Sequence, residues 1–186
     1  MTAFNWVLRG SAWVFGHDVA VDGDLMPLEF ALRRETDPEV LRHHLFAQLD
    51  SGLAARFRPG DIIVAGRRFA QGNPHIQGLL GLRGAGLGLV AESVPGGSFR
   101  NAVSAGLRML PRAEGAIGEA ATGDALEIDF RTGLFRNLTR GTERRWPPLP
   151  PGLQTIIEVG GWEASFRQRL AMMKAAEPAG PNAPRL

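Results

Sequence analysis

Three short, mostly apolar runs constrain this chain more than any other feature: residues 61–65 (DIIVA), 87–91 (LGLVA) and 107–110 (LRML). Each is bounded by turn residues, and stretches of helical length, 79–85 and 96–105, lie between them. A brief apolar run without alternation reads as a strand buried on both faces. Strand, helix, strand, helix, strand in tight succession predicts parallel βαβ units. A helix is also expected after Asp37, which would cap it, with Pro38 at its first position. Val40, Leu41, His44, Leu45 and Leu49 share one face of that helix, and Gly52 lies past its end.

The flanks read differently. Residues 5–15 (NWVLRGSAWVF) carry β-branched and aromatic residues around a Gly-Ser break, which suits a strand or a short hairpin. Residues 16–36 are irregular in pattern. Residues 125–130 alternate apolar and polar, 131–133 turn and 134–138 return, a β-hairpin. The Pro-rich segment 146–151 is extended, and a closing helix starts at Leu153 and ends at Gly160-Gly161. With 186 residues, no repeat and no linker, the expectation is a single domain over 1–175 and a disordered tail, rich in Pro and Ala, over 176–186.

Composition excludes several functions. There is no cysteine, hence no disulfide, no thiol nucleophile and no iron–sulfur cluster held by this chain alone. The 21 cations against 19 acids leave a formal charge of +2, and Lys174 is the only lysine. The arginines are scattered among acids with no basic stripe between aromatics, which argues against nucleic acid. No run of about 18 apolar residues exists, so no membrane span is expected. The first 16 residues lack a basic stretch followed by an apolar block, and a cytoplasmic protein is expected.

Two glycine-rich segments invite functional readings and fail them. Residues 81–91 (GLRGAGLGLVA) close a helix and enter a strand, whereas a dinucleotide loop leaves a strand and opens a helix. Tight helix–strand packing is the better reading. Residues 96–100 (GGSFR) miss the nucleophile elbow, because Arg100 stands where glycine is required. Ser98 is instead a candidate N-cap. His43 and His44 are adjacent, point apart on a helix and cannot chelate together, so no metal site is expected. His17 and His75 lie in loops. His75 follows a buried strand in Gln71-Gly72-Asn73-Pro74-His75, at the carboxyl end where parallel sheets place their ligands.

The chain resembles the small subunit of 3-isopropylmalate dehydratase, the swivelling domain of the aconitase superfamily. The resemblance runs from about Gly10 to Trp162. It is carried by RPGDIIVAG at 58–66 with Phe69 and Gly72, by Ala91-Glu92-Ser93, and by Phe99-Arg100-Asn101-Ala102 with Gly106-Leu107. Downstream it rests on Arg131-Thr132-Gly133, Asn137-Leu138-Thr139, PPLPP at 147–151, and Ile156-Ile157-Glu158 with Gly160-Gly161.

The resemblance implies an α/β fold, a swivelling β/β/α domain with parallel βαβ units and a C-terminal hairpin. It also implies a large-subunit partner carrying a [4Fe–4S] cluster, with no cofactor on this chain, and a small carboxylic acid as substrate. In the family a Gly-Ser-Ser-Arg segment supplies a serine that takes the carbon-bound proton and an arginine that forks onto a carboxylate. Here the serines fall on Asn73 and Pro74 and the arginine on His75. Asn73 cannot serve as an alkoxide base, and His75 lacks the guanidinium fork.

Three residues are thus implicated in catalysis: His75 to bind a carboxylate or move a proton, Asn73 to orient substrate oxygens, and Asp22 to order the site. Gly72, Pro74, Arg33 and Arg34 are implicated in substrate binding. Two readings follow: a divergent hydro-lyase subunit, or a swivel domain kept as a binding or assembly module. If the loop is catalytic, Asn73 and His75 should converge.

Overall fold

The structure, a computed structural model, describes residues 4–176. A seven-stranded mixed sheet organises it, in the order β4-β3-β2-β1-β5-β6-β7. The chain enters through β1 (Val7–Phe15), then α1 (Leu28–Leu32), α2 (Pro38–Leu41) and α3 (Leu53–Arg56). The predicted βαβ run follows as β2 (Ile62–Ala65), α4 (Gln77–Gly84), β3 (Gly88–Ala91), α5 (Gly96–Ala105) and β4 (Met109–Leu110). Then come β5 (Ala125–Asp129), β6 (Leu134–Asn137), β7 (Thr142–Arg145), α6 (Pro151–Glu158) and α7 (Trp162–Ala176).

Strands β2 and β3 are buried at every residue, which is why they carry no polar alternation. They pair in parallel from Ile62↔Gly88 to Ala65↔Ala91, and β4 adds in parallel beside β3. The antiparallel half alternates as expected: Leu126 and Ile128 point inward from β5, and Ile128 faces Phe135 of β6.

The Gly-Ser break in residues 5–15 is neither an interruption nor a hairpin. It is the point at which one strand changes partners. Val7 to Ser11 pair antiparallel with β5, whereas Ala12 to Phe15 pair parallel with β2. A Cβ on Gly10 would sit 2.5 Å from the Gly60 carbonyl oxygen, so only glycine admits the turn that launches β2. The glycines of 81–91 are packing positions too. A Cβ on Gly84 would meet the Pro38 carbonyl at 2.4 Å, and one on Gly88 the Phe130 ring at 2.4 Å.

Four expectations need correction. Residues 16–36 are not merely irregular: Val19, Val21, Leu25 and Met26 are buried, and α1 follows. The helix capped by Asp37 ends at Leu41 and continues only as a 3₁₀ turn over Arg42–His44. Phe46 then takes a φ of 57°, which breaks the helix and turns its ring inward, stacked 4.2 Å from Phe15. That left-handed backbone costs about 1–2 kcal/mol, offset by complete burial of the ring. Ser98 is not an N-cap, since Pro95 holds that position and Ser98 lies buried inside α5. Strand β7 and helix α7 were not foreseen. Of the tail expected over 176–186, Ala176 closes α7 and the remainder lies outside the described residues.

Candidate functional site

The first two parallel strands, β1 and β2, release two loops at their carboxyl ends, and backbone hydrogen bonds zip these loops together. Asp18 N–H donates to the Arg67 carbonyl at 2.8 Å, Gln71 N–H to Val19 at 3.0 Å, and Val21 N–H to Gln71 at 2.8 Å. The Gln71 side chain adds a bond to the Asp18 carbonyl at 2.9 Å. This pairing carries Asp22 up beside the segment that follows Gln71. Gly72 then turns the chain at φ 102°, a conformation closed to most side chains although no neighbour occupies the space a Cβ would take. Pro74 sits at the apex of a tight turn in which His75 N–H donates to the Asn73 carbonyl at 2.7 Å.

The result is a hydrogen-bonded chain of three side chains. His75 Nδ1 lies 2.9 Å from both carboxylate oxygens of Asp22, and His75 Nε2 lies 3.2 Å from the Asn73 amide nitrogen. With a neutral imidazole, the Nδ1 proton is donated to Asp22. The Nε2 lone pair then accepts from the Asn73 amide. If Nε2 is protonated, the Asn73 amide must rotate to present its oxygen. His75 is about a third exposed and Asp22 a quarter, so the group is held by protein yet open to a ligand.

Helix α5 is the platform beneath the loop. The Asn101 amide donates to the Pro74 carbonyl, and the Ser98 hydroxyl donates to the Ala70 carbonyl. Gly97 lies under the Pro74 ring, where a Cβ would come within 2.8 Å. On the other side the Gln77 amide donates to the Glu35 carbonyl at 3.0 Å, tying the start of α4 to the turn after α1. Upstream, Ser93 accepts from Arg68 N–H at 2.9 Å through its hydroxyl and from Phe69 N–H at 3.0 Å through its carbonyl. No local sequence pattern announces Asn101, Ser98 or Gln77, because each acts by holding a carbonyl distant in sequence.

His75, Asn73 and Asp22 are therefore in direct contact, with Gly72 and Pro74 shaping the turn between them. Arg33 and Arg34 are not part of this chain of contacts. Both are exposed, the Arg33 guanidinium lies 4.7 Å over the Phe30 ring, and Arg34 takes a φ of 54°. His17 uses Nδ1 to accept from Arg67 N–H at 2.9 Å, and His44 packs against Phe30, so both serve local structure. With no cysteine in the sequence, the chain offers no thiolate to a cluster. Among the described residues no three His, Asp or Glu side chains gather as a metal site, and no helix is long and apolar enough to cross a membrane.

Comparison with known proteins places this geometry in context. No family model matches the chain. The 3-isopropylmalate dehydratase small subunit of Thermodesulfovibrio yellowstonii is 32% identical over 166 residues, covering 89% of this chain and 96% of that protein. The methanogen homoaconitase small subunit of Methanothermobacter thermautotrophicus is 35% identical over 156 residues, covering 83% and 88%. The solved structure of a 3-isopropylmalate dehydratase from Methanocaldococcus jannaschii superposes with a TM-score of 0.82 at 25% identity, over 92% of this chain and 99% of that one.

Proposed function

The chain belongs to the small-subunit family of 3-isopropylmalate dehydratases, and we propose that it works as one swivelling domain over residues 1–175 in a cytoplasmic hydro-lyase completed by a large subunit. The substrate class is a 2-hydroxy di- or tricarboxylic acid. The observation that carries this reading beyond family membership is the convergence of Asp22, His75 and Asn73 at the carboxyl end of the parallel strands. A loop retained only as a spacer has no reason to keep a carboxylate, an imidazole and an amide in one hydrogen-bonded line. That convergence favours the enzyme over a bare assembly module.

A [4Fe–4S] cluster on the partner would supply a Lewis acid toward the substrate hydroxyl; this chain's residues would handle the proton and orient the substrate. Dehydration removes a proton from the carbon next to a carboxylate and a hydroxide from its neighbour, leaving an unsaturated acid and water. Asp22 fixes the imidazole with its proton on Nδ1 and stabilises the imidazolium that forms. His75 Nε2 accepts the carbon-bound proton. Asn73, displaced from Nε2 by the substrate, turns its amide to a carboxylate oxygen. Gly72 and Pro74 hold the two side chains at the right separation, and Arg33 or Arg34 meets a distal carboxylate. Readdition of water reverses the roles, with His75 returning the proton.

The test is reconstitution. The purified chain, the family's large subunit from the same host, and the mixture are assayed anaerobically with iron and sulfide on 2-isopropylmalate, citramalate and homocitrate. Turnover is expected only in the mixture. Turnover by this chain alone, or none in an assembled and cluster-loaded mixture with any 2-hydroxy polycarboxylic acid, would overturn the reading.

A further inference from the structure

A cavity of about 620 Å³ opens at the amino ends of the parallel strands, the end of the sheet opposite His75. Asn5 borders it just before β1 and Arg9 from within β1. Pro59 and Gly60 border it from the turn before β2, Gly86 from the turn before β3, and Arg108 immediately before β4. Its volume is that of a small-molecule site. The chemistry derived for Asp22, His75 and Asn73 makes no use of it.

Arg108 sets its character. The residue is half-buried, its Nε–H donates to the Asn5 carbonyl at 2.7 Å, and its guanidinium carbon lies 4.3 Å over the Phe4 ring. These two contacts fix the plane of the group. They leave its two terminal amino groups without a hydrogen bond or ion pair among the described residues. Half-buried arginines ordinarily meet a carboxylate, because a desolvated cation without one is costly. Here the neighbouring charge is another cation: burial and the Arg83 guanidinium both lower the pKa of Arg108.

The nearby acids are engaged elsewhere. Glu127 pairs with Arg9 and Arg136, and Arg136 also pairs with Glu143, so those four charges balance. Glu163 lines a separate groove with Arg83 and pairs with Arg167. Counting Glu163 and Arg167 together with Arg83 and Arg108 still leaves two positive charges. We propose that the cavity is an anion site, and that its ligand is a small dianion whose forked oxygens, of a dicarboxylate or a phosphate, meet the terminal amino groups of Arg108. Arg83 supplies the second counter-charge from beside the cavity. A bound dianion ties the approach to β1, the turn before β2 and the start of β4 to one ligand, away from the candidate active site. The site stands independently of the two-subunit reading.

NMR of the full chain, with arginine side chains and glycine amides labelled, tests it by titration with malonate, inorganic phosphate and acetate, sodium chloride holding the ionic strength constant. Malonate, phosphate or both should shift the Arg108 Nε–H and the Gly60 and Gly86 amides saturably, and bind about tenfold or more tighter than acetate. Saturation by one dianion alone identifies it as the ligand chemistry. Arg108→Met keeps the length of the side chain and removes the cation, and should weaken binding about tenfold or more. Arg83→Gln, at an exposed position, should weaken it severalfold without touching the core. His75→Ala should leave it unchanged. Shifts that grow without saturation, or equally with chloride, would reveal general screening and overturn the site. Affinity unchanged in both arginine variants, or lost in His75→Ala, would overturn it as well.

Discussion

Both carboxylate oxygens of Asp22 lie 2.9 Å from Nδ1 of His75, across 53 residues of sequence. The equal distances mean that Asp22 straddles the imidazole Nδ1 proton, which in the neutral ring leaves the other nitrogen as an acceptor. Asp22 thereby fixes the orientation of the imidazole.

Asp22→Asn should lower kcat of the reconstituted enzyme by about 10²-fold or more, because an amide can equally donate to Nδ1 and release the wrong tautomer. His75→Ala should cost at least as much. The double variant should be no worse than His75→Ala, since the two residues act as a unit. Additive losses in kcat would show that Asp22 acts on the substrate independently of His75.

The carboxylate of Asp61 serves stability. It is 4% exposed and accepts from Ser11 N–H at 2.8 Å, Trp13 Nε1–H at 2.9 Å and Arg58 N–H at 2.9 Å. It locks β1 to the turn before β2 at the place where β1 changes partners. Asp61→Ala strands three donors and should destabilise the domain by about 3 kcal/mol, a fall in Tm of roughly 6–12 °C. Thermal unfolding by circular dichroism measures it; an unchanged Tm would mean that water enters the site.

How much of this was legible follows from what each segment buries. Strands β2 and β3 were legible because burial on both faces writes an apolar run, and α5 falls on the expected residues, Gly96–Ala105. Strand β7 was not, because Thr142–Arg145 is exposed throughout and carries no pattern but charge, with Glu143 paired to Arg136 at 3.0 Å. That charge also blunts the sheet edge against further pairing. The helix expected after Asp37 is cut short because Phe46 is drawn out of it by Phe15, a residue thirty-one positions earlier in the chain. At the site, position beyond a buried strand pointed to His75. Its contact with Asp22 depends on the pairing of two loops, which leaves no periodic trace. Asn101 reads as an ordinary helical residue until Pro74 is placed above it.

The hairpin edge predicts the acid limb of stability. The Ala121 N–H, the Asn137 amide and Arg140 hold the Asp124 carboxyl below the usual carboxylate range; Arg136 and Arg9 do the same for Glu127. A depressed folded pKa means that the unfolded chain binds more protons as pH falls. Stability from these groups is therefore present above about pH 4 and is lost as pH drops through their folded values. Urea unfolding at pH 6 and pH 3 should show the loss, and Arg136→Leu should reduce it. Equal pH dependence in the variant would assign the acid limb to other carboxylates.

The decisive substitution is His75→Arg, which replaces the imidazole with a group that stays charged. The two oxygens of Asp22, equidistant from the present nitrogen, offer a guanidinium a bidentate partner, so the variant should fold and assemble. It cannot accept a proton, because arginine stays charged at any pH the protein survives. If His75 takes the carbon-bound proton, His75→Arg and His75→Ala should both lose about 10²–10⁴-fold in kcat, with KM little changed for the arginine variant. If His75 only holds a carboxylate, arginine should retain kcat and tighten binding, while alanine raises KM alone. Steady-state kinetics of the two variants with the same large subunit separates these outcomes. A pH–rate profile adds a second reading: the ionisation of the catalytic base should vanish in both variants if His75 is that base. Its persistence in His75→Arg would move the proton transfer to the partner subunit and leave this chain with the carboxylate.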